Sequence, residues 1–295
     1  MNRKLKSILV AAALASAALA ATSAKALTLY ESFGPYGLFA FDPAHPAVTV
    51  GYAGNATNLD LAGGHLYFQD GPTIYKANAD LSGVTQLWNN VAAPTDFAVN
   101  ATSNDLYESF GPYGLFAFDP AHSADTVGYA GNATNLDLAG DHLYFQDGPT
   151  IYKANADLSG VTPLWNNVAA PTDFAFDASS GLLYESFGLY GLFAFDPTHP
   201  ATTYGYAGNA TNLYLAGGQV FFQDGTTIYQ ANADLSGVAQ LWDNVAVPND
   251  FAIGAPDAAG SAVPEPAAWV LMIAGFALAG AGLRWAPRAG AVKLS

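Results

Sequence analysis

The sequence contains no cysteine, and only nine of its 295 residues are basic. Without cysteine there is no disulfide framework, no thiolate metal site and no thiol nucleophile. The stretch between Leu27 and Val263 contains 23 acidic residues and only two basic ones, Lys76 and Lys153, so its net charge is −21. A stretch so poor in cations cannot neutralise phosphates, which excludes nucleic-acid binding. The 51% hydrophobic content excludes a disordered chain, and the 11% charged content excludes a coiled coil.

The first 26 residues have the pattern of a secretory signal peptide. Met1 to Lys6 is basic, Ile8 to Ala21 is apolar, and Ala24 and Ala26 place small residues at the −3 and −1 positions. This arrangement predicts cleavage before Leu27 and export of the mature chain. The alternative, an N-terminal anchor helix, is disfavoured because the apolar segment is short.

The C-terminal end has the pattern of a membrane span. Ala267 to Leu283 is an apolar run of 17 residues. As a helix it would be about 26 Å long, at the short end of what crosses a bilayer. Arg284 and Arg288 follow it, which favours a cytoplasmic C-terminus. We predict a linker over 255–263, a transmembrane helix within 264–288 and a cytoplasmic tail over 289–295, with the acidic part of the chain outside the inner membrane.

The same tail carries a specific motif. Its residues are Pro264, Glu265, Pro266, Trp269, Gly275, Phe276 and Arg284. About 25 residues around this motif resemble the PEP-CTERM sorting signal of exported bacterial proteins. The resemblance implies an exosortase-type membrane protease as a partner and a Gram-negative host that makes exopolysaccharide. It also implies an inner-membrane precursor facing the periplasm, which then moves to the outer surface or extracellular matrix. The alternative is a plain single-span anchor.

The part of the chain between the two ends is repetitive. Leu29–Gly34 recurs at Leu106–Gly111 and at Leu183–Gly188, with a period of 77 residues. Each 77-residue unit divides again, because a second version of its start appears at Leu66 and at the corresponding later positions. Six units of about 38 residues predict a closed or solenoidal array.

Each of the six units contains four short β-prone runs separated by turn residues. In the third unit they are Asp96–Val99, Leu106–Ser109, Leu115–Phe118 and Thr126–Tyr129. Four strands per repeat are typical of a propeller blade, with the first strand of each unit at the axis. The blade sequence has a tyrosine-rich second strand, followed in the second unit by Ile74–Gly83. This sequence loosely resembles YWTD- or NHL-type six-bladed propellers, which adds support for the fold only.

The ends of the repeat region predict how the ring closes. The last strand, Asp250–Ile253, is of the innermost type, and the mature chain begins with a strand of the second type, Leu29–Ser32. Pairing these two would complete a sixth blade and hide the sheet edges. We therefore predict an all-β fold over 27–254: a six-bladed β-propeller of four-stranded blades closed by the C-terminal strand, plus the signal helix and the transmembrane helix. The alternatives are a β-solenoid and separate small sheets.

Two sets of residues are candidate binding sites on the face of the propeller opposite the chain ends. The first is an alternating amide and carboxylate series at the entry of the six innermost strands: Asn58, Asp96, Asn135, Asp173, Asn212 and Asp250. These oxygens could converge on a hard cation such as Ca²⁺ near the axis. Alternatively, they cap turns and hydrogen-bond the neighbouring blade.

The second set consists of Tyr36, Tyr113 and Tyr190, one in the turn after the second strand of every other blade. Aromatic rings beside polar side chains suit sugar rings. The alternative is packing within the hairpin, and Leu189 in place of the proline of the other two turns makes the threefold pattern imperfect.

No catalytic constellation appears elsewhere. Glu31, Glu108 and Glu185 lie on alternate blades, too far apart to act as a pair, and His45, His122 and His199 lack metal-ligand spacing. We expect a noncatalytic cell-surface or matrix protein without a cofactor, whose propeller binds extracellular polysaccharide or an envelope protein. The alternative is a Ca²⁺-dependent hydrolase or lactonase with the Asn/Asp series at its axis.

Overall fold

The computed structural model describes residues 27–47 and 49–254. The predicted signal peptide, linker, sorting motif, transmembrane helix and cytoplasmic tail lie outside the described residues and stay predictions. Within the described ranges, no helix is long and apolar enough to cross a membrane.

The described chain forms 24 strands and one short 3₁₀ helix. The first twelve strands are β1 (Thr28–Ser32), β2 (Leu38–Phe41), β3 (Thr49–Tyr52), β4 (Ala56–Ala62), β5 (His65–Asp70), β6 (Thr73–Asn78), β7 (Thr85–Asn89), β8 (Asp96–Val99), β9 (Leu106–Ser109), β10 (Leu115–Phe118), β11 (Val127–Tyr129) and β12 (Ala133–Ala139). The other twelve are β13 (His142–Asp147), β14 (Thr150–Asn155), β15 (Thr162–Asn166), β16 (Asp173–Asp177), β17 (Leu182–Ser186), β18 (Leu192–Phe195), β19 (Thr203–Tyr206), β20 (Ala210–Ala216), β21 (Gln219–Asp224), β22 (Thr227–Asn232), β23 (Ala239–Asp243) and β24 (Asp250–Gly254). The helix, Ser123–Asp125, lies between β10 and β11.

The strands form six four-stranded antiparallel sheets, which are the blades of a propeller. Blade 1 has the order β24-β1-β2-β3, and blades 2 to 6 are β4–β7, β8–β11, β12–β15, β16–β19 and β20–β23. The first strands of neighbouring blades contact one another in a closed circuit, β24 to β4 and onward to β20 and back to β24. The predicted all-β six-bladed propeller with four-stranded blades is therefore confirmed.

Blade 1 closes the ring in the predicted way. The C-terminal strand β24 pairs antiparallel with β1, with Thr28 opposite Gly254 and Ser32 opposite Asp250. Both ends of the described chain therefore lie on one face, which we call the terminal face. Because strands alternate in direction, the loops that enter each innermost strand lie on the opposite face, together with the turns between second and third strands. We call this the tyrosine face.

The core is divided into six apolar clusters, one between each pair of neighbouring blades. Leu29 packs with Phe221 of blade 6, whereas the next residue, Tyr30, packs with Phe68 of blade 2. Successive residues of a strand point to opposite sides of the sheet, and here both sides are covered by another blade. The strand β9, Leu106–Ser109, is accordingly buried at all four residues, including Glu108.

Strand boundaries agree closely with the sequence-based prediction. In blade 3, β8, β9 and β10 have the predicted bounds, and β11 begins one residue late, at Val127. The clearest difference is in the even-numbered blades, where the innermost strand carries a bulge. In blade 2 the register of β4 shifts between Thr57 and Leu59, so Asn58 is an extra residue in the strand. It has a φ of 45°, in the left-handed region that asparagine tolerates better than most residues.

Candidate functional site

The innermost strands surround a central channel with a volume of about 660 Å³. Six aspartates line it. Asp177, the last residue of β16, accepts hydrogen bonds from Ser179 and Ser180 of the following turn. The other five are Asp60, Asp96, Asp137, Asp173 and Asp250. Three of these belong to the predicted Asn/Asp series, and Asp60 and Asp137 do not.

The three predicted aspartates join each odd-numbered blade to the next even-numbered one. The Oδ2 atoms of Asp96, Asp173 and Asp250 each accept a 2.6 Å hydrogen bond from a backbone N–H of the following blade. Their Oδ1 atoms accept from the N–H of the next residue in the strand, as with Phe97 at 2.8 Å from Asp96. One oxygen of each carboxylate therefore joins two blades and the other binds the backbone of its own strand, which agrees with the alternative role predicted for this series.

Asp60 and Asp137 join an even-numbered blade to the next odd-numbered one, blade 2 to blade 3 and blade 4 to blade 5. The N–H of Val99 donates to Asp60 Oδ2 at 2.7 Å, and that of Phe176 to Asp137 Oδ2 at 2.6 Å. In blade 6 the corresponding residue is Tyr214. The sequence reasoning missed these residues, although an aspartate flanked by two leucines in the innermost strand of a closed ring was a detectable signal.

The channel raises the pKa values of these five carboxyls, mainly because the surrounding protein desolvates their charged form. The pKa rises to about 6 for Asp60 and Asp173, to about 7 for Asp137 and Asp250, and to about 8 for Asp96. The backbone N–H donors oppose this shift, and repulsion from other channel aspartates adds to it for Asp96, Asp137 and Asp250.

The asparagines of the series have a different role from the aspartates. Asn58 Nδ2 donates to Gln69 Oε1 at 3.0 Å and to the carbonyl oxygen of Thr95 in the next blade at 3.1 Å. Asn135 and Asn212 make the corresponding pair of bonds, one within their own blade and one to the next blade. Because each asparagine is the bulged residue of its strand, the six residues do not occupy equivalent positions around the axis.

A metal site was one of the expectations for this series. Within residues 27–47 and 49–254, no three histidine or acidic side chains are grouped closely enough to hold a metal ion. The hydrogen bonds just described account for the carboxylates at the axis without a cation.

The three tyrosines of the second set project from the tyrosine face. Tyr36 and Tyr113 are 83% exposed, and Tyr190 is 84% exposed. The phenylalanine three residues earlier packs inside the hairpin: Phe33 meets Phe39 edge-on at 6.0 Å between ring centroids. Hairpin packing is thus carried by the phenylalanines, and the tyrosine rings are open to solvent.

Three valines that the sequence reasoning did not select lie on the same face. Val91, Val168 and Val245 are fully exposed, in the loops that lead from blades 2, 4 and 6 into the next blade. Each loop ends beside a tyrosine turn. In the loop after blade 6, for example, the N–H of Asn249 donates to the carbonyl oxygen of Ser32. Ser32 lies two residues before Gly34, where the turn that contains Tyr36 begins.

More aspartates lie at the terminal face than at the edge of the tyrosine face. Ten aspartates lie in or at the edges of the loops of the terminal face: Asp42, Asp80, Asp105, Asp119, Asp125, Asp141, Asp157, Asp177, Asp196 and Asp234. At the edge of the tyrosine face, Asp70, Asp147 and Asp224 each accept hydrogen bonds from a tyrosine hydroxyl and a backbone N–H. Asp243 accepts from Thr226 and Thr227.

The remaining titratable candidates do not form a site. The three glutamates are buried between blades, each accepting a 2.5 Å hydrogen bond from an asparagine of the preceding blade, as Glu108 does from Asn90. Burial raises their pKa values to about 7. His45, His122 and His199 each bond the aspartate of their own turn, as His45 does with Asp42 at 2.8 Å.

No family model and no curated protein matches this chain. Among solved structures, it is similar to a chain in the crystal structure of a nidogen/laminin complex. The TM-score is 0.64 with 13% sequence identity, and the match covers 78% of this chain and 99% of that chain. At this identity the similarity shows the fold alone.

Proposed function

We propose that this protein is an exported, noncatalytic surface or matrix protein whose propeller binds extracellular polysaccharide through its tyrosine face. The observation that carries the proposal is the exposure of Tyr36, Tyr113 and Tyr190, at 83–84%, on the face opposite the chain ends. Exposed aromatic rings in a repeated arrangement mark interaction sites, and tyrosine combines a flat apolar ring with a hydroxyl. An envelope protein is the other partner that such a face would suit.

Export and sorting follow from the two ends of the sequence. The signal peptide would deliver the chain across the inner membrane, and the Pro264-Glu265-Pro266 motif would present it to an exosortase-type protease. The terminal face, where Thr28 and Gly254 meet, would then face the membrane, and the tyrosine face would point outward. Mass spectrometry of the protein from its native envelope tests this step. Mature termini at Leu27 and near Pro264 support it, and an intact 295-residue chain contradicts it.

Binding is tested with purified protein and polysaccharide from the same envelope. We expect the Tyr36→Ala, Tyr113→Ala, Tyr190→Ala triple variant to lose binding. The matched control is His45→Ala, His122→Ala, His199→Ala, which alters three exposed side chains on the terminal face and should bind normally. No binding of the unaltered protein to any envelope polysaccharide would contradict the proposed function.

A calcium-dependent hydrolase or lactonase is the second candidate, favoured by the aspartates that line the central channel. It requires calcium to bind there. A rise in melting temperature with calcium that disappears in Asp96→Ala and Asp173→Ala would support an enzyme. No calcium-dependent change in melting would eliminate this candidate.

A further inference from the structure

The tyrosine face has carboxylates at its edge but no cation. The only basic residues between 27 and 254 are Lys76 and Lys153. Both lie on third strands within the blades, where their ammonium groups sit 5.5 and 5.9 Å from the centroids of the Tyr67 and Tyr144 rings. A polyanion approaching the tyrosine face would therefore meet negative groups and find no basic partner among the described residues.

Eight large apolar or aromatic side chains on this face are strongly exposed to solvent. They are the three tyrosines, the three valines, and in the third copy also Leu189 (83% exposed) and Val247 (57%). Exposed apolar and aromatic side chains gathered on one face of a protein favour a contact surface there. The carboxylates near it, such as Asp70 and Asp243, already accept hydrogen bonds from neighbouring hydroxyl or N–H groups.

The same combination of an exposed tyrosine and an exposed valine occurs three times around the axis. In each copy, the tyrosine turn of an odd-numbered blade lies next to the loop that carries a valine from the preceding blade. The contact is close where blades 6 and 1 meet: a Cβ atom added at Gly34 would lie only 2.9 Å from Asn249 Nδ2. Each tyrosine turn thus lies beside the end of a loop that carries an exposed valine.

We propose that the tyrosine face binds an uncharged polysaccharide, in three subsites that each combine one tyrosine turn with the adjacent valine loop. This rests on the proposed function and adds the class of ligand and the valine loops. The apolar C–H faces of neutral sugar rings suit the tyrosine rings, and their hydroxyls can be hydrogen-bonded by the phenol groups. A polyuronate would instead be repelled, most strongly at low ionic strength.

The test compares two soluble polymers, a neutral β-glucan and polygalacturonate, by affinity electrophoresis of the purified protein at low salt with EDTA present. We expect the β-glucan to retard the protein and polygalacturonate to have no effect. The Tyr36→Ala, Tyr113→Ala, Tyr190→Ala variant should bind at least tenfold more weakly. The Val91→Ser, Val168→Ser, Val245→Ser variant should bind several-fold more weakly, and the histidine triple variant should bind normally. Unchanged melting curves confirm that the variants fold.

Retardation by polygalacturonate alone would overturn the inference while leaving polysaccharide binding in place. Full affinity for the β-glucan in the valine variant would overturn the three-subsite arrangement. Binding to neither polymer, together with a dimer that dissociates in the tyrosine variant, would make the face an interface between copies and overturn the inference. The proposed function itself fails only if no polysaccharide from the native envelope binds.

Discussion

The backbone N–H of Leu59 donates a 2.6 Å hydrogen bond to Oδ2 of Asp250, which lies 191 residues later in the chain. This bond joins blade 1 to blade 2, and four more carboxylates repeat it around the channel. At the junction of blades 6 and 1 the corresponding residue is Tyr214, whose ring lies 6.4 Å from that of Phe251. Five of the six blade junctions are therefore joined by a channel carboxylate, and the sixth is built differently.

The stability of the propeller should decrease as the pH rises. The pKa values of the five channel aspartates that join blades are raised from 3.8 to between about 6 and about 8. Those of the three buried glutamates are raised from 4.5 to about 7. A group with a raised pKa binds its proton more tightly in the folded state than in the unfolded state. The free energy of unfolding therefore falls between the unfolded and folded pKa values.

Thermal melting checks this prediction. We expect the melting temperature to fall by several degrees between pH 5 and pH 8.5, where all eight groups must be ionised. A melting temperature that rises over this range would contradict the raised pKa values.

Asp96→Ala should destabilise the protein and reduce its pH dependence. The substitution removes the acceptor for the N–H groups of Phe97 and Leu136. Leaving such donors unsatisfied costs about 1–3 kcal/mol. It also removes the group with the highest pKa of the five. Denaturant unfolding at pH 5 and pH 8 measures both effects.

The matched control is Asp141→Ala, an exposed aspartate in the turn between β12 and β13. It should change the free energy of unfolding by no more than about 0.5 kcal/mol. Equal effects of the two substitutions would show that the hydrogen bonds of Asp96 are not important to the ring.

The fold was predictable from the sequence because the repeat fixes both the number of blades and the strand type at each end. The pairing of Leu29–Ser32 with the last strand followed from counting strands of each type. Counting strands does not give the partner of Asp60, the N–H of Val99 in the next blade, although the position of Asp60 between two leucines of an innermost strand was visible in the sequence. The bulge at Asn58 was also hidden, because one extra residue in a strand leaves the repeat period unchanged.

The candidate site was only half predictable. Tyr36 and its two copies were selected because an aromatic residue in a turn is visible in the sequence. Val91 was not, because a valine in a loop of alanines and prolines has no pattern that distinguishes exposure from packing. Only the path of the loop across the tyrosine face leaves its side chain in solvent.

The strand β24 should be essential for folding. A chain that ends at Asn249 lacks the innermost strand of blade 1, which leaves an edge of β1 unpaired and removes Phe251 and Ile253 from the cluster between blades 6 and 1. We expect this chain to be insoluble or unfolded by circular dichroism. A chain that ends at Gly254 keeps β24 and should fold. A folded, soluble chain ending at Asn249 would show that ring closure is not required.

Asn244→Ala should weaken the junction of blades 6 and 1 more than the equivalent substitution weakens another junction. Asn244 Nδ2 donates to the buried Glu31 at 2.5 Å, and its Oδ1 accepts from Trp242 Nε1 at 3.0 Å. Removing the amide leaves a buried carboxyl without this donor, at a cost of about 1–3 kcal/mol. It should also raise the pKa of Glu31 further, because the Asn244 hydrogen bond lowers it.

The matched control is Asn90→Ala, which removes the same bonds to Glu108 and Trp88 at the junction of blades 2 and 3. That junction keeps the carboxylate of Asp60, whereas the junction of blades 6 and 1 has Tyr214 instead and joins the two ends of the ring. We therefore expect the loss of unfolding free energy to be larger for Asn244→Ala, and hydrogen exchange in β1 and β24 to speed up more than in β8 and β9. If the two variants behave alike, neither the missing carboxylate bond nor the position at the two ends of the ring makes the junction of blades 6 and 1 weaker than the junction of blades 2 and 3.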